Sequence, residues 1–184
     1  MEGRILYFDQ AGPANTQATL EAARRRVREL GLKTVVVASS HGRTARQALE
    51  LFRSDGVQVI VVTICAGYTA EGWTVDDQTR SELEAAGAKV LTGIHALGDD
   101  VSGAFGYTAP NAIVAQTLYR FCQGMKVAVE IVLMAADAGL IEAGQDVAAV
   151  AGTDEGADTA LIVKAAYPRK FTELKVREIL AMPR

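Results

Sequence analysis

The densest run of chemically capable side chains is Ser39-Ser40-His41-Gly42-Arg43-Thr44. It follows Thr34–Ala38, a Thr with three Val and an Ala, which reads as a buried strand. It precedes a segment with Ala45, Ala48, Leu49 and Phe52 on one helical face. The run is therefore a strand-to-helix turn. Free backbone N–H groups and the dipole at a helix start favour an anion. Ser39, Ser40 and Thr44 add hydroxyl donors, and Gly42 lets a backbone approach closely. Arg43 can add a charge-assisted contact, and His41 can bind phosphate when charged. The residues alone leave two readings open: a phosphate site, or an ordinary turn capped by Ser or Thr. The run is neither a Walker A loop nor the dinucleotide Gly-rich fingerprint.

Other residues carry weaker signals. The Gly152–Thr159 loop has two Gly and two Thr that could donate to a ligand. Asp154, Glu155 and Asp158 would repel a dianion, so hydroxyls or a polar ring suit it better than phosphate. A solvated hairpin loop is the competing reading. His95 follows Thr92-Gly93-Ile94 and could be a proton donor, a ring partner or a plain loop residue. Tyr68 and Trp73 could cover a flat ring or anchor their loop in the core. Cys65 ends a strand and reads as buried and inert, and Cys122 reads as core within a helix. Neither Cys is expected to matter to ligand binding. The two His lack metal-ligand spacing and a third ligand, so no metal is expected.

The elements that position these residues alternate strand and helix. Ile5–Phe8 reads as a short strand. Asn15 or Thr16 caps a helix with Leu20, Ala23, Val27 and Leu30 on its apolar face, ended by Gly31. Gly56 stops the next helix, and Val57–Thr63 is a buried strand. Thr74 and Asp77 have capping-box spacing for a helix reaching Ala86, stopped by Gly87 and followed by strand Ala88–Leu91. This rhythm predicts a parallel sheet with right-handed crossovers. The loops Gly67–Trp73 and Gly93–Pro110 are long and follow strands, where ligands bind in open α/β sheets. Pro110–Leu140 reads as one long helix, with Gly124 marking a kink or a close backbone contact. Its apolar residues spread widely enough to predict a homo-oligomer, most simply a dimer. Val147–Ala151 and Ala160–Val163 are joined by a short link and must be antiparallel. A last amphipathic helix is predicted from Thr172 through Leu174, Val176, Ile179 and Leu180.

The chain has 184 residues, 19 basic and 22 acidic groups for a net charge of −3, and two Cys. That suits one globular domain over 1–184 with an ordinary core. Two Cys are too few for a disulfide framework, so a reduced, cytoplasmic setting is expected. The mild acidity gives no reason to expect nucleic acid. No membrane or targeting segment is visible. Residues 1–60 carry 9 basic and 6 acidic groups, whereas residues 99–160 carry 2 and 9. The asymmetry favours an anionic ligand on the N-terminal half.

Asn15-Thr16 through Leu51, with Val35-Val36-Val37-Ala38-Ser39-Ser40-His41-Gly42-Arg43-Thr44-Ala45, resembles the C-terminal domain of pyruvate kinase. There a similar Ser/Thr–Gly–Arg loop holds a phosphate of the sugar effector. Further segments resemble a stand-alone family with this fold. They are Gly87 to Gly93, His95-Ala96-Leu97, Gln123 to Val127, Ala135 to Ile141 and Gly156 to Ala160. The resemblance implies a three-layer α/β/α sandwich. Its sheet would be mostly parallel and five-stranded, with one antiparallel edge strand. It implies no pyruvate kinase activity, because the catalytic barrel is missing. It also implies bound FMN, with the phosphate at Ser39, Ser40, His41, Gly42, Arg43 and Thr44. Strand-end geometry then places the ring near Gly67, Gly93, His95, Gly152, Thr153 and Gly156. Ile64-Cys65 replaces a more polar pair expected by the family pattern, and the Gly98–Ala109 loop is short.

Three functions compete. The first is an FMN-binding protein, with or without a redox reaction of unknown substrate. The second is a sensor or regulatory module for a small phosphorylated metabolite. The third is a flavin reservoir without turnover. No acid–base pair in the sequence is specific enough to assign a reaction.

Overall fold

The computed structural model describes residues 3–98, 101–106 and 109–184. Seven strands form one sheet: β1 Leu6–Phe8, β2 Thr34–Ala38, β3 Gln58–Thr63, β4 Lys89–Thr92, β5 Asp146–Ala151, β6 Thr159–Lys164 and β7 Lys175–Pro183. Their spatial order is β1-β7-β6-β5-β2-β3-β4. Neighbours pair in parallel except where β6 meets β5 and β7. The antiparallel pairing lies towards one edge, as expected. The sheet continues past it through β7 and β1, which makes seven strands rather than five.

Helices cover both faces. On one side lie α1 Thr16–Leu30, α2 Arg43–Phe52 and α3 Asp77–Ala85. Their Leu20, Val27, Phe52 and Leu83 pack with Val35, Val37, Val59 and Val61. The opposite side chains of the same strands, Val36, Ile60 and Val62, face α6 Gln123–Asp137. The continuous Val and Ile runs follow from this double burial. Each such side chain contributes roughly 1.5–3 kcal/mol when fully buried. Short helices α4 Val101–Ala104 and α5 Pro110–Leu118 lie between β4 and α6 in sequence. The predicted Gly93–Pro110 loop thus holds one helical turn, and its residues 99–100 and 107–108 lie outside the described set. Among the described residues, no helix is long and apolar enough to cross a membrane.

Two predicted helices are corrected. Pro110–Leu140 is not continuous, because the chain breaks between α5 and α6. Cys122 adopts an extended conformation there, and its Sγ accepts from the Met125 N–H at 3.3 Å. A cysteine cap is not among the usual cap signals, so the sequence concealed the break. Gly124 marks a close contact rather than the kink: a Cβ there would collide with the Thr159 side chain. The predicted last helix is strand β7. Its pairing with β6 slips between Ala160/Leu161 and between Ile162/Val163. Each bulge inserts a residue and flips the alternation of faces. The resulting apolar spacing imitates a helix.

Two predicted caps also change. Asn15 makes no side-chain cap bond; its Nδ2 donates to the Gln10 carbonyl at 2.7 Å. Asp76, rather than Thr74, caps α3 by accepting from the Thr79 N–H at 2.6 Å.

Candidate functional site

A cavity of about 290 Å³ opens where β2, β3, β4 and β5 end. That is the small end of the range for small-molecule sites. Four loops, Tyr119 from the α5–α6 link and one helix build it. The β2–α2 turn contributes Ser39, Ser40, His41, Arg43 and Thr44. The loop after β3 contributes Tyr68 and Trp73, and the loop after β4 contributes His95. The β5–β6 loop contributes Gly152, Asp154, Glu155 and Gly156. The long face of α6 supplies the floor, including Lys126, Glu130, Ile131 and Met134.

The β2–α2 turn has the geometry its residue types require. Gly42 takes the left-handed conformation, φ +79°, and caps α2 without a side-chain bond. Ser39 is buried, and its Oγ accepts from the Ala45 N–H at 3.3 Å. Thr44 is also buried. Gly42 is not part of the cavity wall. A Cβ on it would come 2.5 Å from Cγ2 of Thr79 on α3, so helix packing requires its small size.

Arg43 is held across the mouth. Its Nη2 lies 2.7 Å from Oε1 of Glu155, and both side chains are largely exposed. The acidic loop therefore meets the basic turn directly. Asp158 plays a different part from the one its charge suggested. It is fully buried and accepts from the N–H of Gly12 at 2.9 Å and of Thr153 at 3.1 Å. The Thr159 hydroxyl also donates to it, at 2.8 Å. This carboxylate shapes the β5–β6 loop and does not face the cavity. Gly156, at φ +73°, packs its backbone on Pro13, where a Cβ would come 2.5 Å from Pro13 Cα.

An aromatic wall stands beside the turn. Tyr68 and Trp73 stack with ring centroids 6.1 Å apart and planes 9° apart. Tyr68 also leans on His95 at 6.0 Å and 40°. Nε2 of His41 lies 3.0 Å from the Gly72 carbonyl, and as the protonated nitrogen it donates there. That bond ties the aromatic loop to the basic turn.

Of the residues expected at the site, Ser39, Ser40, His41, Arg43, Thr44, His95, Gly152 and Gly156 line one cavity. Gly42, Gly67, Gly93 and Thr153 do not. Cys65 is buried and also outside it. Cys122 caps α6, and burial pushes its thiol above the usual range, which suits a structural role.

The floor was missed in the sequence. Lys126 and Glu130 are 2% and 3% exposed, and their Nζ and Oε2 are 2.6 Å apart. Glu130 Oε1 accepts from the Leu97 N–H at 2.9 Å. The Lys126 ammonium sits 5.8 Å from the centroid of the Tyr119 ring. A Lys and a Glu four apart in a run as apolar as Val127-Ala128-Val129 was the available signal.

One solved structure, a pyruvate kinase from Cryptosporidium parvum, aligns with 84% of this chain at 15% identity and a TM-score of 0.45. The chain accounts for only 23% of that protein's length. Residues 17–163 match the family described as pyruvate kinase, alpha/beta domain, a span holding the sheet from β2 to β6, the basic turn and the cavity floor. The chain belongs to the pyruvate kinase alpha/beta domain family.

Proposed function

We propose that the chain binds a small phosphorylated ligand with a flat ring, FMN in the first place, through the cavity at the strand ends. The observation that carries this reading is the pairing of two unlike walls in one cavity. Ser39, Ser40, Arg43 and Thr44 surround the start of α2, while Tyr68, Trp73 and His95 form an aromatic surface. The first wall suits a dianion at a helix N-terminus. The second suits a planar, amphipathic ring.

The test is flavin-fluorescence titration of wild type and Arg43→Ala with FMN and with riboflavin, which lacks the phosphate. A charge-assisted bond is worth roughly 1.5–3 kcal/mol. Arg43 must first leave Glu155, and an exposed ion pair is worth about 0–1 kcal/mol. The expected loss for FMN is therefore about 10-fold, with riboflavin barely changed. An equal loss for both ligands removes the turn as a phosphate site.

A sensor of a sugar phosphate is the second reading, favoured by the Arg43–Glu155 link, which an arriving anion would open. A wild-type protein that is colourless, ignores FMN and is stabilised by a sugar bisphosphate establishes it. A dimer completes the proposal. Its motive shifts from the supposed long helix to Ile113 on α5 and Phe121 beyond it, which are 71% and 54% exposed. The apolar residues of α6 are consumed inside the chain.

A further inference from the structure

Lys126 and Glu130 are charged groups inside the otherwise apolar stretch Met125–Ala136, and both line the cavity. Taking two charges out of water is costly, and their mutual attraction offsets this only with good geometry and further hydrogen bonds. A pair of apolar residues would fill the same space with no such cost. The pair is nevertheless carefully held. Glu130 is fixed by the Leu97 N–H at 2.9 Å and by Lys126 at 2.6 Å. Lys126 is positioned against the Tyr119 ring as well. The pair's place on the cavity wall lets it meet whatever enters.

The pair presents a donor beside an acceptor. Each carboxylate oxygen has two lone-pair directions, so Glu130 can accept from a ligand in addition to its present partners. The matching ligand edge carries an N–H beside a C=O. Resting on the reading of the cavity as a site for a phosphorylated ring, we propose that Lys126 and Glu130 recognise an imide edge of that ring. Lys126 Nζ donates to the ring carbonyl, and a Glu130 oxygen accepts the adjoining N–H. The aromatic wall then stacks on the ring while the β2–α2 turn holds the phosphate. Two ligand sources share this chemistry: the pyrimidine end of a flavin nucleotide, and a uracil nucleotide.

The experiment titrates wild type and the double variant Lys126→Met/Glu130→Leu with four probes: FMN, 3-methyl-FMN, UMP and 3-methyl-UMP. The methyl group removes the N–H and leaves ring, phosphate and stacking in place. The double variant avoids an unpaired buried charge, and replacing such a pair with apolar residues is often neutral for stability. Circular dichroism checks its fold. Lys126→Met/Glu130→Gln, which leaves no buried charge there and still accepts from Leu97, serves as a second variant should the first fail to fold. In wild type, methylation should weaken binding about 10-fold, the size of one charge-assisted bond. In either variant the unmethylated probe should bind correspondingly less well, and most of the methylation penalty should disappear. The same penalty in wild type and variant, or none in wild type, overturns the proposal. If UMP but not FMN binds with this discrimination, the imide site stands and the flavin assignment falls. If neither probe binds wild type, both fall.

Discussion

Gly42 combines a left-handed backbone, φ +79°, with a Thr79 methyl waiting 2.5 Å from any added Cβ. Two separable costs follow. The left-handed conformation costs a non-glycine residue about 1–2 kcal/mol, and the clash adds to it. Gly42→Ala should therefore lose more than about 2 kcal/mol in urea unfolding. Combining it with Thr79→Ala should recover the clash part, leaving the backbone part. If the Thr79 change recovers nothing, α3 does not restrict this position. The residues of the β2–α2 turn were legible because a strand, a turn and an amphipathic helix stand in unbroken order there. The purpose of Gly42 was not, since Thr79 is 37 positions away. Asp158 shows the same limit: its charge was visible, but its partner Gly12 lies at the other end of the chain.

At the scale of elements, Asp55 joins the turn after α2 to α1. Arg24 Nε lies 2.6 Å from its Oδ2 and Arg28 Nη2 lies 2.6 Å from its Oδ1. Hydrogen bonds from Arg24 first, then Arg28, hold the Asp55 carboxyl well below the usual carboxylate range. The folded state thus protonates later than the unfolded state as pH falls. The stability from Asp55 is present above the unfolded value near 3.8 and is lost as pH drops through the folded one. Asp55→Asn should be less stable than wild type at neutral pH. The gap should narrow below about pH 4 in pH-dependent denaturant melts. A gap that widens on acidification contradicts the assignment. Elements defined by local signals were legible, β2 to the residue and α1 at its Gly31 end. Those shaped from outside were not. The β7 pattern is scrambled by two bulges against β6, and the break before α6 rests on a cysteine cap.

For the whole molecule, the parallel sheet followed from alternating strands and helices and the three layers from the family resemblance, while β1 was legible as a strand but its place beside β7 was not. β1 and β7 pair with each other from opposite ends of the sequence, which no local pattern reveals. The proposed dimer is tested by sedimentation at micromolar concentration. Wild type should sediment as a dimer through an isologous contact. Ile113→Asp with Phe121→Asp should yield monomers that still bind the same ligand. A wild-type monomer removes the dimer outright. The ion pair between Arg43 and Glu155 has a consequence at this scale too. Glu155 is a tethered competitor, present at Arg43 at an effective concentration of about millimolar or above. An exposed pair worth about 0–1 kcal/mol weakens a stray anion's hold on the guanidinium by at most about fivefold. A ligand that also holds the aromatic wall gains its own local concentration there and can win. On the proposed function, the mouth of the cavity would thereby select by valency, preferring molecules that bring two kinds of contact over those that bring charge alone.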